Sequence, residues 1–458
     1  MKQNTIKKMF LLLATTSLLQ AEITASLEER VSKLEQNSAI WEHLKLGADY
    51  RFSYDNIRYK MANGDTKKND SLLTNRLWLI MDYKPDTHVH FYTKLAFNKV
   101  FGQSNVSESI AFDQFDWYGA TTNTDNQLRV KEAYIDYQGF NTFGSDIPWN
   151  FGVGRRPTSY NKLASLRDDE AASSPLGHIV AAEFDGGHLK FDFSHITSIP
   201  GLAVKFALGR GMSSISSSKS SPTPLAKSGE NINMYGFNFI PYSTKKLHLE
   251  LQILKATNLV DITNAGFDNV GNYNPNNYDP TLQVVGDMNM ASAMAMYTME
   301  SWNKTTLFAS YAYTQTDPNA NSTMLGSQDK KSGQGYWVGV QTASPLSENG
   351  KWGLEFNHGS KYFRPFTYGE DTAVGSKLAT RGNAYEAYFT EYIQKGLSVQ
   401  LRYTYLDYKY SGSNGFFGSQ TGTPMDIETI KSQLGSSDLA TNVAESAQDI
   451  RLYLRYRF

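Results

Sequence analysis

The last ten residues, "DIRLYLRYRF", alternate charged and apolar side chains. Arg451, Arg455 and Arg457 occupy odd positions, and every even position from Ile450 to Phe458 is aliphatic or aromatic. Successive side chains of a β-strand point to opposite faces, so the guanidinium groups share one face and the apolar groups the other. Such a strand suits the wall of a barrel whose lumen holds water and whose exterior faces hydrocarbon. Charged side chains in such a lumen would discriminate between solutes.

Arginines recur on the polar face of other segments with the same alternation. If the first and last strands pair in a closed sheet, the segments that carry them become neighbours. The predicted basic wall of the lumen consists of Arg51, Arg76, Arg402, Arg451 and Arg455. Asp49 and Asp449 lie on the same segments and are expected to neutralise part of this charge.

Further charged residues are predicted to face the lumen from the remaining strands. They are Lys94, Glu132, Arg156, Lys205, Glu250, Glu355 and Glu386. Both signs occur, so the sequence does not predict whether cations or anions pass. Within 128–138 the phase is ambiguous: Lys131 and Glu132 are adjacent and cannot both face inward from a regular strand, and a one-residue slip exchanges the two faces.

The sequence lacks the motifs of common enzymes. Its eight histidines show no metal spacing such as H-E-x-x-H, and no G-x-S-x-G elbow, P-loop or dinucleotide fingerprint occurs. No catalytic residue, metal or cofactor is therefore predicted, and no basic patch is large enough for nucleic acid. A barrel enzyme whose loop residues converge without a sequence signature stays an alternative.

The chain begins with a predicted signal peptide and a short helix. Lys2, Lys7 and Lys8 precede the apolar run 9–14 and a small-residue exit near Ala21, so residues 1–21 are expected to be cleaved on export. Residues 22–43 are predicted to form a helix on the periplasmic side. It is either a single amphipathic helix or a short oligomerising coiled coil, because its apolar residues follow heptad spacing: Leu27, Val31 and Leu34.

Residues 44–458 are predicted to form a transmembrane antiparallel β-barrel. No uninterrupted apolar run beyond the signal exceeds five residues, whereas a spanning helix needs roughly 20, and aromatic residues make up 13% of the chain. Period-two alternation recurs in sixteen segments, although fourteen or eighteen strands are possible: 44–55, 73–84, 89–98, 128–138, 149–156, 184–194, 202–210, 231–240, 246–256, 286–299, 304–314, 335–343, 351–358, 383–393, 397–410 and 447–458.

The connections between these segments alternate in length, as in outer-membrane barrels. Short links occur near Lys84, Pro241, Trp302 and Lys395. Long, polar connections are predicted at 56–72, 99–127, 157–183, 211–230, 257–285, 315–334, 359–382 and 411–446.

The chain after the signal resembles Gram-negative outer-membrane porins. The similarity lies in "VKEAYIDYQG", "NFGVGRRP", "EFDGGHLKFDF" and the closing "LYLRYRF", and the stretch 357–389 resembles more narrowly an uncharacterised porin-like family. The resemblance implies an outer-membrane location among lipid and lipopolysaccharide, but no assigned substrate. It also implies that Tyr456 and Phe458 belong to the signal read by the barrel assembly machinery, and that the segment 22–43 supports a homotrimer.

In porins the third long loop folds inward and narrows the channel, so the resemblance implies the same for 157–183. This loop carries Arg167, Asp168, Asp169 and Glu170. Facing the arginines across a narrow aperture, its acids would create a transverse field. The alternative is an ordinary solvated loop.

The predicted function is passive diffusion of ions and small hydrophilic solutes through a water-filled barrel. One alternative is a channel selective for a sugar or organic acid, with Trp337 and Tyr388 in a stacking track. Another is a structural or adhesive barrel without an open pore.

Overall fold

The computed structural model describes residues 41–101, 128–142, 144–156, 162–170, 176–182, 184–212, 231–267, 273–367, 370–413, 415–418, 422–435 and 437–458. The predicted signal peptide and most of the predicted segment 22–43 lie outside these residues. Leu27, Val31 and Leu34 are therefore not described, and of that segment only residues 41–43 are seen, as a helical turn.

The protein folds as a closed barrel of sixteen antiparallel strands in the described residues, which confirms the predicted fold class. The strands are β1 Leu44–Met61, β2 Thr66–Tyr83, β3 Val89–Val100, β4 Leu128–Gly139, β5 Trp149–Arg156, β6 Phe184–Asp192, β7 Ala203–Met212, β8 Ile232–Ser243, β9 Leu247–Phe267, β10 Tyr273–Met299, β11 Thr305–Pro318, β12 Ser332–Ala343, β13 Gly350–Gly359, β14 Gly382–Gln394, β15 Leu397–Tyr408 and β16 Ala444–Arg457. Each strand pairs with its neighbours in sequence, and β16 pairs with β1 to close the sheet.

The closing pair explains the unusual end of the sequence. Tyr50 pairs with Tyr456, and the main-chain amide of Phe458 donates to the carbonyl of Ala48 at 3.1 Å, with the reciprocal bond at 3.2 Å. The last residue is thus fixed against β1, and no strand edge is left unpaired at this seam.

The alternation of residue types produces an apolar exterior and a polar interior. On β16 the even-numbered residues from Ile450 to Tyr456 are about half exposed, whereas the arginines between them are buried. The same pattern runs around the barrel, with aliphatic and aromatic side chains pointing outward on successive strands. A closed sheet with such an exterior has all its backbone groups paired in hydrocarbon and can span a membrane.

Two predicted long loops are wrong, because the strands continue through most of them. The β1–β2 connection is residues 62–65 instead of 56–72, and the β9–β10 connection is 268–272 instead of 257–285. Where a strand extends past the apolar band of the barrel exterior, its outward-facing residues need not be apolar. The composition of that part of the strand therefore resembles that of a loop. The connection 409–443 contains two short helices, α3 Ile427–Gln433 and α4 Asp438–Asn442. Earlier in the described part of the chain are two more short helices, α1 Ala164–Asp168 and α2 Ser194–Thr197.

The two ends of the barrel differ. One end, called the turn end here, carries connections such as 244–246 and 395–396. The other, the loop end, carries the third loop (157–183) and the seventh loop (360–381), counted along the chain. No helix in the described part of the chain is long and apolar enough to cross a membrane.

The third and seventh loops fold into the barrel and pack together. The amide of Ala181 donates to the carbonyl of Phe366, and the amide of Phe366 to that of Ile179, both at 2.8 Å. Phe363 and Phe366 also pack in an apolar cluster with inward-facing residues of β8–β11, including Met234, Leu254, Met288 and Met290. Much of the lumen beside β8–β11 is therefore filled with apolar side chains.

Candidate functional site in the barrel interior

The five arginines of the predicted basic wall all point into the barrel and are buried. Arg51 is the direct cross-strand partner of both Arg76 and Arg455, and Arg402 is that of Arg451. Like charges directly opposite each other destabilise a sheet, so this arrangement requires acidic partners.

Asp371 of the seventh loop is the main acidic partner of the wall. Its carboxylate accepts hydrogen bonds from Arg51 and from Arg451 (3.2 Å), and it lies 3.6 Å from Arg76. Its main-chain carbonyl accepts from Arg402 at 2.6 Å. Burial by itself would raise the pKa of the Asp371 carboxyl. The guanidinium groups of Arg51, Arg451 and Arg76 outweigh that effect and hold the pKa well below its usual range.

The acids on the strands complete the neutralisation of the wall. Asp49 accepts from Arg455 at 3.0 Å and from Arg76 at 3.4 Å, and Asp55 pairs with Arg451. Asp449, expected from the sequence to share this role, lies 3.9 Å from Arg451.

The acidic residues of the third loop contact the arginines directly. Asp168 lies 3.5 Å from Arg402, and Glu170 pairs with Arg455. Asp169 pairs with Arg457 and lies 3.4 Å from Lys351. In the described residues, salt bridges fill the space between these acids and the arginines, where the sequence predicted a narrow aperture.

A second buried network lies against β13 and β14. Glu355 and Glu386 are direct cross-strand partners, and Lys377 of the seventh loop lies between them, with Nζ 2.6 Å and 2.5 Å from their carboxylates. Arg167 of α1 donates to Glu386 at 3.1 Å and to the adjacent Asp168 at 2.9 Å. The two inward-folded loops thus supply the cations that the strand acids need.

Trp337 and Tyr388 cannot form a stacking track for a passing solute. Trp337 is fully buried beside Phe308, and its indole Nε1 donates to Glu355 at 2.8 Å. The hydroxyl of Tyr388 is bonded to Gln341 at 2.8 Å beneath the third loop. That expectation is wrong, because the loops cover both rings.

A β-bulge resolves the ambiguous phase of β4. The pairing with β3 shifts between Lys94, opposite Glu132, and Leu95, opposite Val130, which leaves Lys131 as the extra residue. Both Lys131 and Glu132 are buried inside: Lys94 bonds Glu132 at 2.8 Å, and Lys131 Nζ lies 5.7 Å from the Trp78 ring. The expectation that only one of the two can face inward is wrong.

The lumen retains a cavity of about 730 Å³ along β3–β9, away from the seventh loop. Among the residues that line it are Lys94, Glu132, Tyr134, Arg156, Glu170, His188, Lys205, Asn238 and Gln252. Arg156 bonds Asp136 at 2.6 Å. Glu250, on the same wall, accepts from Asn238 at 2.9 Å and contacts His248 at 3.1 Å. Within the described ranges, no group of histidine and acidic side chains is arranged to hold a metal ion.

Asp371 and Lys377 were not identified from the sequence, although both organise the interior. They lie in "GEDTAVGSK", a connection in which polar and apolar residues do not alternate. Alternation predicts which way a side chain points only in a strand, so it does not predict the orientation of these two residues. The one available signal was the excess of predicted inward arginines over acids on the wall strands, which implied further acids from elsewhere.

The closed sheet, the apolar exterior and the charged interior define a membrane-spanning β-barrel protein. The chain belongs to the family described as "Protein of unknown function (DUF3373)", which matches residues 66–458 and confirms the predicted membership of an uncharacterised family. No curated protein matches the chain.

Several solved structures are similar to this chain at low sequence identity. OmpT of Vibrio cholerae, described as a trimer form, is 11% identical, with 90% of this chain and 99% of that chain covered and a TM-score of 0.45. OprB of Pseudomonas putida is 14% identical, with 93% and 96% covered and a TM-score of 0.47. An anion-selective porin from Comamonas acidovorans is 10% identical, with 91% and 99% covered and a TM-score of 0.48.

Proposed function

We propose that the protein is an outer-membrane channel through which ions and small hydrophilic solutes diffuse passively. The observation that carries the proposal is a cavity of about 730 Å³ inside a closed barrel with an apolar exterior, with charged and polar side chains along part of its wall. Tyr134, Arg156, Lys205 and Asn238 present polar groups along it, as a hydrated path requires.

The path is expected to run off-centre, along β3–β9. Asp49 and Glu170 border the cavity, and beyond them the basic wall and the other acids of the third and seventh loops occupy the lumen, so solutes have no room there. In this proposal Arg167, Asp168, Asp169 and Glu170 narrow the channel by anchoring the third loop to the wall.

The location and the partners follow from the same proposal. Outer-membrane lipid and lipopolysaccharide would contact the apolar exterior, and Tyr456 and Phe458 at the seam would be read by the barrel assembly machinery. A homotrimer would be held by the segment 22–43, and removal of that segment from the purified protein should then convert trimers into monomers on native gels.

Conductance of the purified protein in planar bilayers tests the channel. Ala207 lines the cavity from β7, so Ala207→Trp should narrow the path and lower single-channel conductance. Val338 points outward from β12 and is 44% exposed, so Val338→Trp serves as the matched control and should conduct like the unmodified protein. Equal conductance of Ala207→Trp and the control would contradict the proposed path.

The filled interior also supports a second candidate, a structural or adhesive barrel without an open pore. The apolar cluster beside β8–β11 and the two ion-pair networks leave little open cross-section. A correctly folded barrel that stays electrically silent in bilayers would favour this second candidate and reject the channel.

A further inference from the structure

A contiguous apolar patch lies on the cavity wall where β6, β7, β8 and β9 cross it. Four residues of one row line the cavity and are successive direct cross-strand partners: His188, Ala207, Gly236 and Leu254. Adjacent strands are about 5 Å apart, so Gly236 lies about 10 Å from His188 along this row. Gly209 and Met234, the next inward-facing pair towards the loop end, extend the patch and line the same cavity.

The two glycines of the patch leave space that the packing of the barrel does not require. A Cβ atom added at Gly236 would lie 3.5 Å from the Cβ of Ala207, and one added at Gly209 would lie 3.5 Å from the Cβ of Phe184. These are ordinary van der Waals distances, and neither glycine has the positive φ that excludes other residues. The missing side chains therefore keep the cavity open against an apolar wall.

His188 supplies an acceptor without a donor at one end of the patch. The residue is 8% exposed, and its Nε2 lies 2.5 Å from Oδ1 of Asn150, whose Nδ2 donates to the carbonyl of Tyr137 at 3.4 Å. When Nε2 donates to that oxygen, the neutral ring leaves Nδ1 as an acceptor. Nδ1 is buried and has no hydrogen-bond partner among the described residues. A buried acceptor without a partner is unfavourable, so a ligand that brings a hydroxyl group to it gains affinity.

We propose that His188 and the apolar patch bind an uncharged molecule that carries an apolar ring and a hydroxyl group, such as a phenol or an alicyclic alcohol. The hydroxyl donates to Nδ1 of His188, and the ring lies over Ala207 and Gly236. An aromatic carboxylate is the competing class, because Arg156 and Lys205 line the same cavity, but it has no donor for Nδ1. The inference deepens the proposed function, on which it rests, because it names a solute class for the cavity assigned to the path.

Binding is tested without reference to transport by the thermal unfolding of the purified barrel in detergent. Gly236→Val fills the space over the patch, whereas the control Ala309→Val adds bulk at an exposed position on the outer face of β11. As 4-methylphenol is added, the midpoint temperatures of the unmodified protein and of Ala309→Val should rise relative to that of Gly236→Val, because a ligand that binds only the folded state stabilises it. Equal responses of the three proteins would overturn the site.

A second pair of variants tests the hydroxyl group of the ligand. Relative to Gly236→Val at the same detergent concentration, 4-methylphenol should stabilise the unmodified protein more than toluene or 4-methylbenzoate does. His188→Phe should lose the advantage over toluene. The control His358→Phe should keep it, because His358 lies on the outer face of β13, where its Nδ1 is 2.9 Å from Oδ1 of Asn383. A larger response to 4-methylbenzoate would overturn the ligand class, and an advantage over toluene that persists in His188→Phe would overturn the role of His188.

Bilayer recordings distinguish failure of the site from failure of the channel. Added 4-methylphenol should lower the conductance of the unmodified protein and of Ala309→Val, and it should leave that of Gly236→Val unchanged. Conductance together with no stabilisation by 4-methylphenol would reject the site and leave the channel intact. Stabilisation that Gly236→Val abolishes, in a barrel without conductance, would reject the channel and leave the site intact.

Discussion

Asp371→Asn should release the seventh loop from the basic wall. The substitution removes the charge that Arg51, Arg76 and Arg451 share, and these side chains are at most about a tenth exposed. Removal of one partner of a buried ion pair costs about 3–5 kcal/mol. The asparagine retains one acceptor, and the main-chain carbonyl keeps its bond to Arg402, so we take about 3 kcal/mol. At about 1.4 kcal/mol per factor of ten, the undocked loop becomes roughly a hundredfold more populated.

Single-channel recording measures this change directly. A docked loop covers part of the lumen, so Asp371→Asn should show more frequent transitions to a larger conductance and a lower midpoint of thermal unfolding in detergent. Asp70→Asn is the matched control, because Asp70 lies exposed at the loop end beside Lys68 and should change neither quantity. Traces and midpoints for Asp371→Asn that match those of Asp70→Asn would refute the assignment of Asp371 as the residue that holds the loop.

Further outcomes follow from the same contacts. Lys377→Gln leaves two adjacent buried glutamates short of a cation, so the unfolding midpoint in denaturant should drop by an amount equivalent to about 3–5 kcal/mol; no change would contradict the network. Leu163→Ala removes a fully buried side chain of the third loop, at a cost of about 2–5 kcal/mol, and should make that loop more sensitive to added protease than in the unmodified protein. Phe458→Ala should lower the amount of barrel in the outer membrane of cells while the refolded protein keeps its conductance; equal amounts in cells would argue against an assembly signal. The pKa of Asp371 is depressed, so its stabilisation is present above about pH 4 and is lost as the pH falls through its folded-state value. The difference in conductance between the unmodified protein and Asp371→Asn should therefore be the same at pH 7 and pH 5 and should shrink only in stronger acid, and a difference that already shrinks at pH 5 would contradict this.

The barrel could be predicted from the sequence because alternation acts on every strand. The two-residue alternation alone predicts that the odd-numbered residues of β16 face the interior, and it predicts the same for Arg51, Arg76 and Arg402. In the structure these arginines are buried inside the barrel. The same rule failed where the backbone departs from regular pairing: the bulge at Lys131 turns two adjacent charged residues inward.

The contents of the lumen were harder to predict than its wall. Asp371 and Lys377 act through contacts with residues distant in sequence, and the position of a loop residue depends on which surface the loop packs against. The loop packs against β8–β11 because Phe363 and Phe366 join the apolar cluster there. From the sequence alone, two phenylalanines in a polar connection do not predict which strands they contact. The alternation also continues into 56–61, where a composition resembling that of a loop hid the extended β1.

The seam between β1 and β16 has a consequence for biogenesis. Its hydrogen bonds join segments at opposite ends of the chain, such as Tyr50 with Tyr456, and so they have the largest sequence separation in the sheet. A ribosome must release β16 before the cylinder can be sealed, and until then both terminal strands keep unsatisfied amides that lipid will not accept. The barrel can therefore close only after β16 has been synthesised, and pairings of such large sequence separation are expected to form slowly.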